Sequence, residues 1–185
     1  MARIVSLLII GLVFVTVGCA KLTLKHKPLT PASTTLGTVS LVVNNARPEE
    51  HGGGNDMQVG RMRNLYGMPI RFEAQNSVVD AIRALAADAL SSAGYQVSQD
   101  APVQVVVDIT TFFMDGYMGY KIEAVLGVKA NKGESAVFQK EIAKAHGFGH
   151  MSNKDLYEAY DVFMDMIAAE AVATFTSPEF QSAVQ

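Results

Sequence analysis

The chain contains a single cysteine in 185 residues, which excludes a disulfide framework and any cysteine-rich zinc site. Charge is sparse too. Only 18% of the residues are charged, and 15 basic against 18 acidic residues leave a net charge of −3, so a nucleic-acid footprint is not expected. Fifteen glycines and six prolines are too few for a collagen-like chain, and a hydrophobic content of 49% is too high for a wholly disordered one. No comfortable membrane span is present either. The main apolar run, Ile4 to Val17, has 14 residues, whereas a spanning helix needs roughly 20.

That run follows the short basic start Met1-Ala2-Arg3 and has the size of a signal-peptide core. It ends in Thr16-Val17-Gly18-Cys19, which places the lone cysteine where an exported bacterial lipoprotein carries the residue that is diacylated and becomes the new N-terminus. Gly18 and Val17 resemble a lipobox, and Thr16 departs from the usual Leu. Two other readings use the same residues: cleavage after Ala20 to release a soluble protein, or an uncleaved anchor in which Cys19 is merely small and apolar. The first reading divides the chain into a signal peptide over 1–18, a lipid-anchored tether over 19–37 and one periplasmic domain over 38–185. The tether is rich in Thr, Lys and Pro. Its Lys21, Lys25 and Lys27 either touch anionic headgroups or are simply solvated.

In the domain, Thr38–Asn44 is a β-branched run suited to a strand, and 47–68 reads as a loop around His51-Gly52-Gly53-Gly54-Asn55-Asp56. This loop neither opens a helix nor supplies a Lys-Ser/Thr pair, so it is not a phosphate cradle. Pro69–Glu73 suggests a short strand. A helix is expected over about 77–93, started by the Ser77/Asp80 capping signal and stopped by Gly94. Asp115-Gly116 reads as a two-residue hairpin turn that sets Met114 opposite Tyr117 and Phe113 opposite Met118. Alternation across the long hairpin 103–129 then places Val105, Val107, Ile109, Thr111 and Phe113 on one face with Ile122, Ala124, Leu126 and Val128. An edge strand over about 135–146 carries Lys140 and Lys144. A second helix over about 153–175 has the stripe Leu156, Tyr160, Phe163, Ile167 and Ala171. The expected fold is α+β: two layers, a mainly antiparallel sheet, and two helices on one face.

Little in this pattern carries chemistry. His146 and His150 have metal-like spacing, but only a helix would put them on one face, and the glycines between them argue against one. No metal, cofactor or catalytic residue is expected. Glu158, Asp161 and Asp165 read as a solvated helix face. Glu170 falls on the apolar side of its helix, where it needs a partner such as Arg83, or must reach outward. Phe112, Met114 and Tyr117 fall on the polar face near the hairpin tip and form a candidate partner patch.

Several punctuating motifs, in order, resemble the YajG family of bacterial envelope lipoproteins: Gly18-Cys19-Ala20-Lys21, Ala93-Gly94-Tyr95-x-Val97, Ala101-Pro102-Val103, Gly147-Phe148-Gly149 and Ser152-Asn153-Lys154. The resemblance implies an outer-membrane lipoprotein without established activity and carries over no catalytic residues. Ala20 after Cys19, in place of Asp, resembles the outer-membrane sorting signal of enterobacterial lipoproteins. The expected function is a non-enzymatic binding module, or an accessory in envelope assembly or transport. It would hold the membrane through Cys19 and contact an envelope protein or lipid, with no nucleic acid involved. The alternatives are a small periplasmic hydrolase without a recognisable motif, or a secreted protein cut after Ala20.

Overall fold

The computed structural model describes residues 22–63, 66–116, 120–149 and 153–185. Cys19, the signal-peptide residues, Tyr117 and His150 lie outside the described residues. The elements, in order, are β1 (Gly37–Asn45), β2 (Gln58–Arg63), β3 (Pro69–Glu73), α1 (Val78–Ser92), β4 (Tyr95–Val97), β5 (Val103–Asp115), β6 (Tyr120–Lys132), β7 (Ser135–Phe148), α2 (Asn153–Phe175) and α3 (Pro178–Val184). The architecture is the expected two-layer α+β, with both long helices where their periodicity put them.

Local chemistry accounts for the helix limits. The Ser77 hydroxyl accepts the Asp80 N–H at 3.3 Å, a cap worth about 1 kcal/mol. At the other end Gly94 takes φ 92°, the left-handed turn that ends a helix cheaply only with glycine. A Cβ there would also come within 2.8 Å of the Thr34 carbonyl oxygen. The short α3 was not foreseen, although Ser177-Pro178 announces it: Ser177 accepts the Phe180 N–H at 3.2 Å, and proline suits the first helical position.

The sheet is mixed: its long pairings are antiparallel, as expected, and several shorter ones are parallel. β6 pairs along the whole of β5 and β7 along the whole of β6, both antiparallel. The other edge of β5 carries two parallel neighbours, β1 opposite Gln104–Ile109 and β2 opposite Met114–Asp115. β4 extends the sheet beyond β1, and β3 beyond β2. The stretch 47–68, expected as loop, therefore contains a strand, because Gly60 and Arg61 find open backbone partners at the end of β5.

Two expectations about the long hairpin are overturned. Met114 pairs with Ile122 and Asp115 with Lys121, so the strand runs through Asp115 and no two-residue turn forms there. Gly116 does not adopt positive φ, and its N–H donates to the Arg61 carbonyl at 2.9 Å. The second correction is a β-bulge between Ile109 and Thr111. One extra residue reverses the alternation beyond it, so Val105, Val107 and Ile109 share the core face with Phe112 and Met114 instead of Thr111 and Phe113. The candidate patch thus dissolves. Phe112 and Met114 are fully buried, Phe112 against Phe163 at 5.9 Å and Tyr160 at 6.3 Å between ring centroids, and Tyr117 lies outside the described residues.

The helices pack on this face in one continuous core. Ile82, Leu85, Ala89 and Leu90 of α1 and Leu156, Tyr160, Phe163, Ile167 and Ala171 of α2 are all buried in it. The Tyr160 hydroxyl donates to the Val59 carbonyl at 2.8 Å and so fastens α2 to β2. The bond satisfies a group whose burial would otherwise cost about 1–3 kcal/mol.

Candidate functional site

The segment joining Cys19 to the domain is the most informative part of the surface. Over residues 22–36 the tether reading gives way to a packed arm. Leu22 and Leu24 are buried in the core, and Leu22 forms a parallel bridge with Ala74. The Leu22 carbonyl accepts the Gln75 N–H at 2.7 Å. Asn76 then grips Leu24 as a strand neighbour would: its amide oxygen accepts the Leu24 N–H at 2.8 Å, and its amide nitrogen donates to the Leu24 carbonyl at 2.9 Å. Further along, the Ala32 N–H reaches the Ser91 carbonyl at 3.1 Å and the Leu36 N–H the Gly94 carbonyl at 2.6 Å. Threonines, lysines and proline give such a segment no periodicity, so its alternating leucines were not legible as core.

Charges follow the same track. Lys25 lies 3.9 Å from Asp161, Lys27 2.7 Å from Asp165 and His26 3.0 Å from Asp88. The Lys27 N–H also donates to Asp165 at 2.8 Å. Burial alone would raise the Asp165 pKa, but the hydrogen bonds from Lys27 carry it below the ordinary carboxylate range. Asp161 and Asp165 are therefore the seat of the arm, while Glu158 pairs with Lys154 at 3.7 Å on the exposed surface. Of the three lysines considered for headgroups, Lys25 and Lys27 are engaged on α2, and Lys21 lies outside the described residues.

The remaining reactive groups are also tied into the fold. Glu170 is held not by Arg83 but by Lys144 at 2.8 Å and Lys140 at 3.7 Å, and the hydrogen bond from Lys144 keeps its carboxyl below the usual range. Arg83 turns instead to Asp80 at 2.5 Å. His146 sits in β7, so helical spacing to His150 does not apply. No group of three or more metal-ligating side chains is found among the described residues.

Sequence reasoning missed Arg47, whose side chain has no exposure. Its guanidinium donates to the Gln58 carbonyl at 2.7 Å, the Phe112 carbonyl at 3.3 Å, the Gly52 carbonyl at 3.0 Å and the Asn45 amide oxygen at 2.9 Å. Burial lowers its pKa, and Asp56 partly offsets this. The glycines of the loop fit around it: a Cβ on Gly53 would fall 2.1 Å from the Arg47 carbonyl oxygen. The same loop lays His51 over Phe113 at 4.4 Å between ring centroids, which buries the outer-face phenylalanine that the bulge created. Only the run of glycines hinted at this close packing.

The grooves that remain are open. One, of about 360 Å³, lies between the arm and α2 and is lined by Lys25, His26, Lys27, Pro28, Asp161 and Asp165. Another of about 360 Å³ lies beside β1, Arg83 and Ala87. Among the described residues no helix is long and apolar enough to cross a membrane.

No family model matches the sequence, and no curated protein does. Solved structures do resemble the fold. Protein XCC0632 from Xanthomonas campestris, assigned to the family DUF330, superposes with a TM-score of 0.56 at 12% identity, over 80% of this chain and 89% of that one. An uncharacterised protein gives a TM-score of 0.51 at 13% identity, over 83% and 97%. Lipoprotein GNA1162 from Neisseria meningitidis gives 0.43 at 9% identity, over 75% and 96%. What the first two share with this chain is its two-layer α+β fold.

Proposed function

We propose that the chain is a lipoprotein of the bacterial outer membrane, facing the periplasm and held by an acylated Cys19. There it serves as a non-enzymatic binding or accessory module in envelope assembly or transport, as the resemblance to YajG lipoproteins implies. The observation that carries this reading is the arm. The chain joins the folded core at Leu22, three residues after Cys19, and is fastened there by Leu22, Leu24 and Asn76. A lipid on Cys19 would therefore hold the domain directly, with little slack. The non-enzymatic part is supported by Arg47, Glu170, Asp161 and Asp165, whose charges are spent on holding segments of the chain together.

The test is metabolic labelling with an alkyne fatty acid, followed by membrane fractionation. Wild-type protein should take up label and partition with the outer membrane. Cys19→Ser should lose the label and accumulate as an uncleaved precursor, because the lipoprotein peptidase acts on the acylated cysteine. A Cys19→Ser protein processed normally to a soluble form would establish cleavage after Ala20 instead.

A further inference from the structure

We propose that residues 25–28 form a strap held by charge across the seam between α1 and α2. It lifts when its ion pairs are screened, while both ends of the arm stay docked.

The apolar hold on the arm stops at Leu24. An extended segment sends every second side chain inward, and the inward positions here are Leu22, Leu24 and His26. Leu22 and Leu24 are buried in the core. The third position brings an imidazole where another leucine would have continued the grip. Its side chain is only 9% exposed, and its Nε2 meets Asp88 of α1 at 3.0 Å. Lys25 and Lys27, on the alternate positions, go to Asp161 and Asp165 of α2. Three consecutive residues thus take three carboxylates on two helices. The next apolar side chain of the arm to pack against the core is Leu29.

Backbone hydrogen bonds mark the fixed ends. Leu22 and Leu24 are held on one side of the strap, Ala32 and Leu36 on the other. Between Leu24 and Ala32 the one backbone hydrogen bond among the described residues comes from the Lys27 N–H, and its acceptor is again the Asp165 carboxylate. Nor does the strap fill the space beneath it. The groove of about 360 Å³ separates Lys25–Pro28 from Asp161, Val162 and Asp165. A segment fastened at both ends, tied by charge in the middle and standing over a groove can open without undoing the core.

The ties are of a kind that salt loosens. The Lys25 and Lys27 side chains are 68% and 86% exposed, and ion pairs so placed are weak and screened. Raising the ionic strength from 0.1 to 1 M shortens the screening length from about 10 Å to about 3 Å, which is comparable with the 2.7 to 3.9 Å of these pairs. Opening bares Asp88, Asp161 and Asp165 beside the exposed Val162, and it uncovers the His26 ring.

His26 therefore reports the opening. The full-length protein is treated with diethyl pyrocarbonate at pH 7 in 0.1 M and in 1 M sodium chloride. Peptide mass spectrometry reads carbethoxylation of His26, with His51 and His146 as internal references, and hydrogen exchange of the Leu22 and Leu24 amides is followed in the same buffers. The expected result is a rise of about 3- to 10-fold in His26 modification at high salt relative to the references, with slow exchange at Leu22 and Leu24 retained. The double variant Asp161→Asn, Asp165→Asn should show the faster His26 rate already at 0.1 M. A His26 rate unchanged both by salt and in the variant would overturn the proposal. A rise matched by equally faster exchange at Leu22 and Leu24 would overturn it too, because the arm would then leave as a whole.

Discussion

Replacing Asn76 by alanine isolates the join between arm and domain. The side chain makes two hydrogen bonds to one residue, at 2.8 and 2.9 Å, with the Leu24 N–H and carbonyl. Each such bond contributes about 0.5–1.5 kcal/mol net, so Asn76→Ala should weaken docking of the arm by about 1–3 kcal/mol. Both backbone groups of Leu24 would then be left unpaired in a buried position. Because each 1.4 kcal/mol is a factor of ten, exchange of the Leu22 and Leu24 amides should accelerate by about 5- to 150-fold. The α1 amides, whose partners lie within the helix, should accelerate less. Native-state hydrogen exchange by mass spectrometry reads both in one experiment. Gln75→Ala is the control: it removes only the exposed contact with Thr23 at 2.9 Å and should change exchange little. Unchanged arm exchange in Asn76→Ala would show that Asn76 does not hold the arm, and equal acceleration of arm and α1 would show that the arm does not open separately.

Two further predictions concern the core and the edge of the sheet. Phe112→Ala should cost about 3–5 kcal/mol in urea unfolding, and Phe113→Ala less, since Phe113 is covered only from the outer face by His51 and by Arg61 at 5.7 Å; the reverse order would remove the bulge from the account. Glu170→Gln should lower stability at neutral pH by no more than about 1 kcal/mol, because the pair is partly exposed. The Glu170 pKa is depressed in the folded state, so its contribution is complete above the ordinary carboxylate pKa and is lost as pH falls through the lower folded value. The difference between wild type and variant should therefore shrink below about pH 4, as unfolding midpoints across pH would show.

Much of the layer architecture was legible because it rests on local signals. The Ser77 cap, the Gly94 stop and the stripe from Leu156 to Ala171 each lie within one element, and each stands where the pattern put it. The face of β6 was legible too: Ile122, Ala124, Leu126 and Val128 alternate without interruption. The face of β5 was legible only as far as Ile109. Thr110 and Thr111 fit a strand in either phase, so nothing in the sequence marks the inserted residue, and the candidate patch fell with the phase. The parallel place of β1 beside β5 was illegible for another reason: strand pairing far apart in sequence leaves no local trace. Lys140 and Lys144 read correctly as edge residues, while their grip on Glu170 depended on the distance between β7 and α2.

The position of β1 also dictates an order of events. Asn44 meets Asp108 across a separation of 64 residues, and Gly37 meets Tyr95, so the first strand to be made has no lateral partner until β4 and β5 have followed it. Contacts of such range are formed slowly, and an unpaired strand edge invites association meanwhile. Under the proposed anchoring at Cys19, the early strand would wait at the bilayer, half-assembled, while the middle of its own chain arrives. Protection of the early segment in that interval would then be as much a requirement of this topology as the finished contacts.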